Sequence, residues 1–430
     1  MTTPTHRTPV SRTTAYTYFQ PDGNRIVAGR GTFPNVTSVD YPVTLPTWVI
    51  GSPEPTSSAW LVTSDQGEVR RIRPNGSITV GQTAPRQPIA GRLTSEGFVP
   101  LLVNTDRLPF ALSALTHPVV IPSGLLMITA DGDLVLWNED AVNPEFTRLS
   151  ASVLPDARLA VLPDAGLAAV YVEPTDRYPH GVLGDSLEAA ALIILKLDDL
   201  SVVTRIALPE EEVFEGIQPL WADIDSDGQP ELVTTVSTAT HGARIRVYRI
   251  DGSVLVQGEG FSRGGRWRHQ LAFGAFGPEG ENELVVVRTP HASGIVEYYR
   301  YQDGELKVVA EIPGFTSHVL HTRNLAMAVA GDFNGDGRLE LAIPDQEREI
   351  IAGIQRTADD PDGVPQRNPA MRTTDTGTLR IARGAEVIWS VSVGGLMVTN
   401  IAAMPVTDST GAERLAIAVG TSEDRLRVWR

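Results

Sequence analysis

The chain contains no cysteine, which excludes disulfides, thiolate metal sites and cysteine nucleophiles. Packing, hydrogen bonds and oxygen-ligated cations are left to hold the fold. Aromatic residues make up only 6% of it, so its core must be built mainly from aliphatic side chains. Positive charge is scarce: 36 Lys and Arg stand against 52 Asp and Glu, a formal charge of -16. Such a surface repels phosphates and anionic membranes, so nucleic acid is not expected as a partner. No apolar run approaches the roughly 18 to 20 residues that a membrane-spanning helix needs. The closest is AALIILKL near residue 190, and no direct membrane insertion is expected. The start, MTTPTHRTPVSRTT, lacks the apolar segment of a secretory signal. Neither a G-x-S-x-G elbow nor a Gly-rich phosphate loop occurs, which lowers the expectation of an enzyme.

What is present is turn-rich and apolar. Hydrophobic residues reach 42%, with 39 glycines and 31 prolines, a composition of an ordered chain with many turns and few long helices. One unit spells out the plan: PLWADID, PELVTTV, ARIRVYRI and SVLVQGEG, the last two joined by an Asp251-Gly252 turn. In its third run Ile245 and Val247 alternate with Arg244, Arg246 and Tyr248, the period of a strand. Four such antiparallel strands make one propeller blade. Leu167, Leu232, Leu284, Leu341 and Leu415 are equivalent second-strand starts, with earlier starts near Trp60, Phe98 and Leu125. The unit at about 86 to 116 is short. The expectation is an all-β chain: a flexible tail over 1–14, then a single closed β-propeller of seven or eight four-stranded blades over 15–430. Residues 16–33 read as a hairpin around a PDGN turn. The last unit ends after three strands, and a closed ring leaves no open edge. An N-terminal strand, Arg25 to Phe33, is therefore expected to complete the last blade.

Two loops carry the clearest chemistry. GDFNGDGRLELAIP begins at Gly331 and ADIDSDGQPELVTTV at Ala222. In each, oxygen side chains alternate ahead of a glycine at the sixth position, a hard-oxygen cage suited to Ca2+. An EF-hand needs a Glu at position twelve between two helices. Thr234 and Ile343 stand there instead, in β-branched runs that read as strands. These stretches resemble the FG-GAP or VCBS repeats of integrin-α-like propellers, D-x-[DN]-x-D-G-x-x-D-L before a strand, with Glu231 and Glu340 where that family usually has Asp.

The resemblance implies two structural Ca2+ sites, in blades at about 217–262 and 324–395. The first would use Asp223, Asp225, Asp227 and Glu231 with the Gln229 carbonyl. The second would use Asp332, Asn334, Asp336 and Glu340 with the Arg338 carbonyl. Two further copies are degenerate. Ala275 and Gly277 replace ligands ahead of Gly280 and Glu283, and Arg414 takes the final carboxylate's place after Gly411. The Arg414 guanidinium is expected to supply the charge that the ion supplies elsewhere. Such loops serve where Ca2+ is abundant, which implies an extracellular or cell-surface location, whereas the missing signal argues for the cytoplasm.

In a blade, the loop between strands one and two lies on the face opposite the loop between strands two and three. The cages are of the first kind, and the insertions at 173–188 and 347–376 read as the second. The connections between blades share that second face and carry GFSRGGRWRHQ and GFTSHVLHTRN. Arg177, Tyr178, His180, Arg266, Trp267, Arg268, His318 and His321 thus form a candidate site for a glycan or a protein. His318 and His321 have H-x-x-H spacing but lack the Glu and the helix of a zinc motif, so they read as loop histidines. Asp359, Asp360 and Asp362 read as a solvated loop. The function expected is non-catalytic recognition of a glycan or protein partner through the face opposite the cages, with Ca2+ as a staple. A polysaccharide-active enzyme, like the propeller-shaped lyases with their basic and aromatic central pocket, is one alternative. A structural subunit of a larger assembly is another.

Overall fold

A computed structural model describes residues 13–14, 22–52, 58–65, 68–82, 90–94, 97–101, 103–104, 108–113, 115–121, 123–138, 145–260, 264–358, 382–407 and 411–430. Among them the only helical turn is the 3-10 turn Pro163–Ala165. The strands form seven antiparallel meanders of four. Blade 1 starts at Pro46–Ser52, blade 2 at Val119–Ile121, blade 3 at Ala160–Leu162 and blade 4 at Leu220–Ala222. Blade 5 starts at Arg268–Ala275, blade 6 at Val329–Asp332 and blade 7 at Ala402–Thr407. The fold is a β-propeller.

Each blade must bury both of its faces, and the strands show it. Leu232 packs with blades 1 to 3, while its neighbour Val233 packs with Leu284 and Tyr299 of blade 5. Alternate residues of one strand thus serve opposite neighbours, and Glu231–Thr238 is buried throughout. The apolar clusters then run round a ring. One joins blades 1 to 4, and the next three join blades 4 and 5, 5 and 6, and 6 and 7. The last sets Val49, Trp60 and Val62 of blade 1 against Ala402, Met404, Ala416 and Ala418 of blade 7. That contact closes the circle. At the same junction the buried Asn400 side chain accepts from Val49 N–H and donates to Val49 C=O, each at 2.8 Å.

Of the seven or eight blades expected, seven form, and three other expectations are corrected. The short unit near 86 to 116 is no eighth blade. Its hairpin, Ala90–Thr94 with Gly97–Leu101, joins blade 2 through parallel pairing with Val119–Ile121. The strand that completes blade 7 is Ser38–Pro42, antiparallel to Arg425–Trp429, not Arg25 to Phe33. Ile26–Arg30 instead runs parallel to Val329–Asp332, inside the ring. The reason is that Ile26 packs into the blade 5–6 cluster and Val27 into the blade 6–7 cluster. An outermost strand with one solvated face could not satisfy both. The described half of the expected 16–33 hairpin therefore pairs elsewhere, and residues 15–21 lie outside the described residues. Within the expected tail, Thr13–Thr14 pairs with Val103–Asn104.

The third correction concerns the 347–376 insertion. Residues 350–356 are strand three of blade 6 and 385–392 are strand four. The long connection between them leaves on the cage face, not the opposite one. Asp359, Asp360 and Asp362 lie outside the described residues. The 173–188 stretch does join strands two and three of blade 3.

Asn400→Ala would leave two buried backbone groups of blade 1 unpaired at the closing junction. It is expected to lower unfolding stability by roughly 2 kcal/mol or more. The check is the denaturant midpoint, and an unchanged midpoint would show that the clasp carries no weight.

Candidate cation loops and binding face

Both acidic loops fold into cages through their own backbone. In blade 4, Gly228 N–H donates to Asp223 Oδ2 at 3.1 Å and Gln229 N–H to Asp227 Oδ1 at 2.7 Å. In blade 6, Gly337 N–H donates to Asp332 Oδ2 at 3.0 Å and Arg338 N–H to Asp336 Oδ1 at 2.8 Å. Gly228 and Gly337 stand at φ 88° and 89°, which explains the glycine at the sixth position. Oxygens of Asp223, Asp225 and Asp227 come within 4.8 Å of one another, as do those of Asp332, Asp336 and Glu340. Asn334 turns its Oδ1 to Asp336 N–H at 2.8 Å. Glu231 backs its loop from Ile224 N–H at 2.9 Å, and Glu340 does so from Phe333 N–H at 2.7 Å.

Two observations bear on whether a cation fits. Asp223 Oδ1 is buried without a hydrogen-bond partner. Burial, reinforced by the neighbouring carboxylates, pushes Glu231 and Glu340 each up to about 7. A donor set of clustered carboxylates with an orphaned oxygen suits a hard divalent ion.

The equivalent carboxylate of blade 5 is Glu283, one residue before Leu284, and it meets guanidiniums. Arg300 Nε lies 3.2 Å from its Oε1, and Arg356 Nε, from blade 6, lies 2.8 Å from its Oε2. Glu283 and Arg356 are fully buried. Arg414 was expected to act this way in blade 7, but its side chain is exposed, with Val406 opposite it in register. The loop with too few ligands has thus gained its positive charge from two other strands.

On the opposite face, the strand 2–3 loop of blade 3 meets the connections before blades 4, 5 and 6. Arg177 Nε donates to Glu212 C=O at 2.9 Å, and the Tyr178 hydroxyl accepts from Gly265 N–H at 2.7 Å. His180 Nδ1 bonds the buried Glu215, which also takes Ser237 Oγ. His321 Nδ1 donates to Gly181 C=O at 3.1 Å. Arg266 is exposed. The other members are interior. Trp267 and His318 are each 2% exposed, and Arg268 donates inward to Ala243 and Glu259 carbonyls.

Histidines that the sequence reading passed over lie beside them. Trp267 stacks on His269 and His291, with centroids at 4.8 Å and 5.9 Å. His318 Nε2 donates to Thr322 C=O at 2.6 Å, so its Nδ1 accepts from His291 Nδ1 at 3.4 Å. Burial holds His318 down at about 3 and His291 at about 4. Glu188, beside Glu215, is pushed well above its usual range, first by burial and then by that neighbour. The signal available in the sequence was position, since His291 and Glu188 each stand at the upper end of an apolar strand. Nearer the axis, a cavity of about 10 Å3 is lined by Gly23, Arg25, Gln218, Trp267 and His269. That is room for one water.

No family model and no curated protein matches the sequence. Among solved structures, the chain is similar to BamB from Moraxella catarrhalis, with 10% identity over 88% of this chain and 81% of that one, at a TM-score of 0.39. It is also similar to the β-propeller domain of Cps50 (Swd1) from Myceliophteria thermophila, with 10% identity over 92% and 98% at 0.46. The propeller assignment stands on the strand order and the ring of clusters.

Two predictions follow from these buried groups. Because His318 and His291 titrate below the usual 6.5, the unfolded chain takes up protons first as pH falls. Stability is therefore present above about 6.5 and lost toward 4. His318→Gln should flatten that acid-side fall in melting temperature relative to wild type; an identical slope would overturn the assignment. Glu283→Ala should cost about 3 kcal/mol or more by removing the buried carboxylate that both guanidiniums share, whereas Arg414→Met should leave the denaturation midpoint unmoved.

Proposed function

We propose that this chain is a non-catalytic propeller of the FG-GAP or VCBS type, stapled by two Ca2+ ions, that docks a protein partner through the face opposite the cation loops. One observation carries the reading. Every exposed large apolar side chain in a described loop lies on that face, namely Leu45, Leu115, Leu187, Leu320, Leu396 and Val398. The remaining exposed large apolar residues sit on outermost strands. Apolar side chains gathered on one face of a rigid scaffold suit recognition.

A protein is favoured over a glycan because the aromatic anchors of the candidate site, Tyr178 and Trp267, are spent in packing. What faces solvent is aliphatic. The structural-subunit reading shares the same docking face.

The Ca2+ part is tested by melting the protein with Ca2+ and with EDTA, alongside the double variant Asp225→Ala, Asn334→Ala. Ligand binding to the folded state alone raises stability by mass action. A rise of several degrees that the double variant abolishes is expected; no rise in wild type would refute the staple. The docking part is tested by crosslinking in native extract. Leu187→Glu with Leu320→Glu should lose partners that Asp164→Lys, on the cage face, retains, and equal loss would refute the face.

A further inference from the structure

We infer that the sector of this face formed by blades 6, 7 and 1 takes a basic segment of the protein partner, in which Lys or Arg flanks aliphatic residues. The inference rests on the docking face proposed above and names the chemistry that one part of it selects.

The sector is contiguous and fixed. Met397 N–H donates to Arg348 C=O and Ser422 N–H to Leu396 C=O, each at 2.9 Å. Val398 N–H donates to Gly420 C=O at 3.0 Å, and Leu45 N–H to Asp424 Oδ1 at 2.8 Å. Four loops from three blades are thus laced into one surface. Gly395, at φ 143°, approaches so closely that a Cβ there would stand 2.9 Å from Glu423 Cγ. On this surface Leu396, Val398 and Leu45 are 38%, 39% and 50% exposed.

Carboxylates predominate around those aliphatics. Glu347, Glu349, Glu423 and Asp424 are exposed. Of the arginines there, Arg348 donates to Met397 C=O at 3.1 Å, Arg427 pairs with Asp40 and donates to Val393 C=O, and Arg425, the one that is exposed, also pairs with Asp40, at 3.2 Å. An apolar strip alone would accept any greasy segment. A carboxylate rim around it repels acidic partners and steers basic ones.

The test titrates a synthetic peptide alternating Lys and Leu, and its Glu and Leu counterpart, into the full-length protein, with hydrogen exchange read along the chain. Two variants probe the sector, Glu347→Lys with Glu349→Lys and Leu396→Ser with Val398→Ser. Asp164→Lys with Asp198→Lys makes the same charge change in exposed loops of the cage face. Melting temperatures confirm that each variant is folded. The Lys and Leu peptide should bind wild type, weaken about tenfold or more in both sector variants and little in the control. Protection should appear at 345–349, 394–398 and 422–424. No binding, equal binding of the Glu and Leu peptide, or equal weakening in the control would overturn the inference. Protection on the loops of blades 3 to 5 instead would overturn the sector but leave the docking face standing. Protection on the cage face would overturn both.

Discussion

A blade has two apolar faces and no surface of its own on which to hide either, so each meander is stable only between two others. The ring must close for any part of it to be buried on both sides. This constraint explains why Ser38–Pro42, ahead of blade 1, is laid against Arg425–Trp429 of blade 7 in one sheet. It also explains why the junction of blades 7 and 1 is built from alanines facing a tryptophan, and why the buried Asn400 amide is placed there to satisfy both backbone groups of Val49. The closing contact is sequence-distant, and its cost in chain entropy falls on whatever holds it.

Charge inside this ring follows the same logic. Glu212 is held by Arg244 and Arg246, Glu297 by Arg268 and Arg288, and Glu283 by Arg300 and Arg356. A buried carboxylate with two guanidiniums adds little net stability over an apolar replacement, but losing one partner is expensive. Glu231 and Glu340 occupy the position of Glu283 in blades 4 and 6, where they accept from backbone N–H groups of the acidic loops rather than from arginines. Burial first, and then the neighbouring carboxylates, push both up to about 7. The repeat unit thus presents a carboxylate at a fixed place in three blades, and what differs among them is what surrounds it.

How far this was legible in the sequence depends on the range of the interaction. Blades announced themselves through period-two runs and Gly turns, which are local, and the cage loops through residue spacing within a dozen positions. Partner choice between distant strands was not local. Arg25 to Phe33 and Ser38 to Pro42 are both short apolar runs near the start, and only the narrow gap between the inner strands of blades 6 and 7 decides which goes where. Arg414 was read as a charge donor from alignment with Glu340, yet the guanidiniums that do this work come from Arg300 and Arg356, neither in the loop concerned. The 347–376 stretch was misplaced because IIAGIQR, a strand, was read as part of an insertion, which moved the long connection to the wrong face.

The burial of Trp267 and Arg268 has a geometric cause. A connection between blades must travel from an outermost strand to the innermost strand of the next blade, crossing the whole face inward. In the connection before blade 5, Trp267 and Arg268 are drawn down beside the axis in this way, where Trp267 stacks on His269 and His291 and where Ile26–Arg30 already fills space. Residues midway along the crossing, and at the tips of the strand 2–3 loops, stay on top. Those positions hold Leu320, Leu396, Val398 and Leu187, with Glu347, Glu349 and Glu423 among them. Trp267 and Arg268 at the end of that connection thus serve the ring, and under the proposed docking the aliphatic and acidic residues that the crossings leave exposed would set specificity.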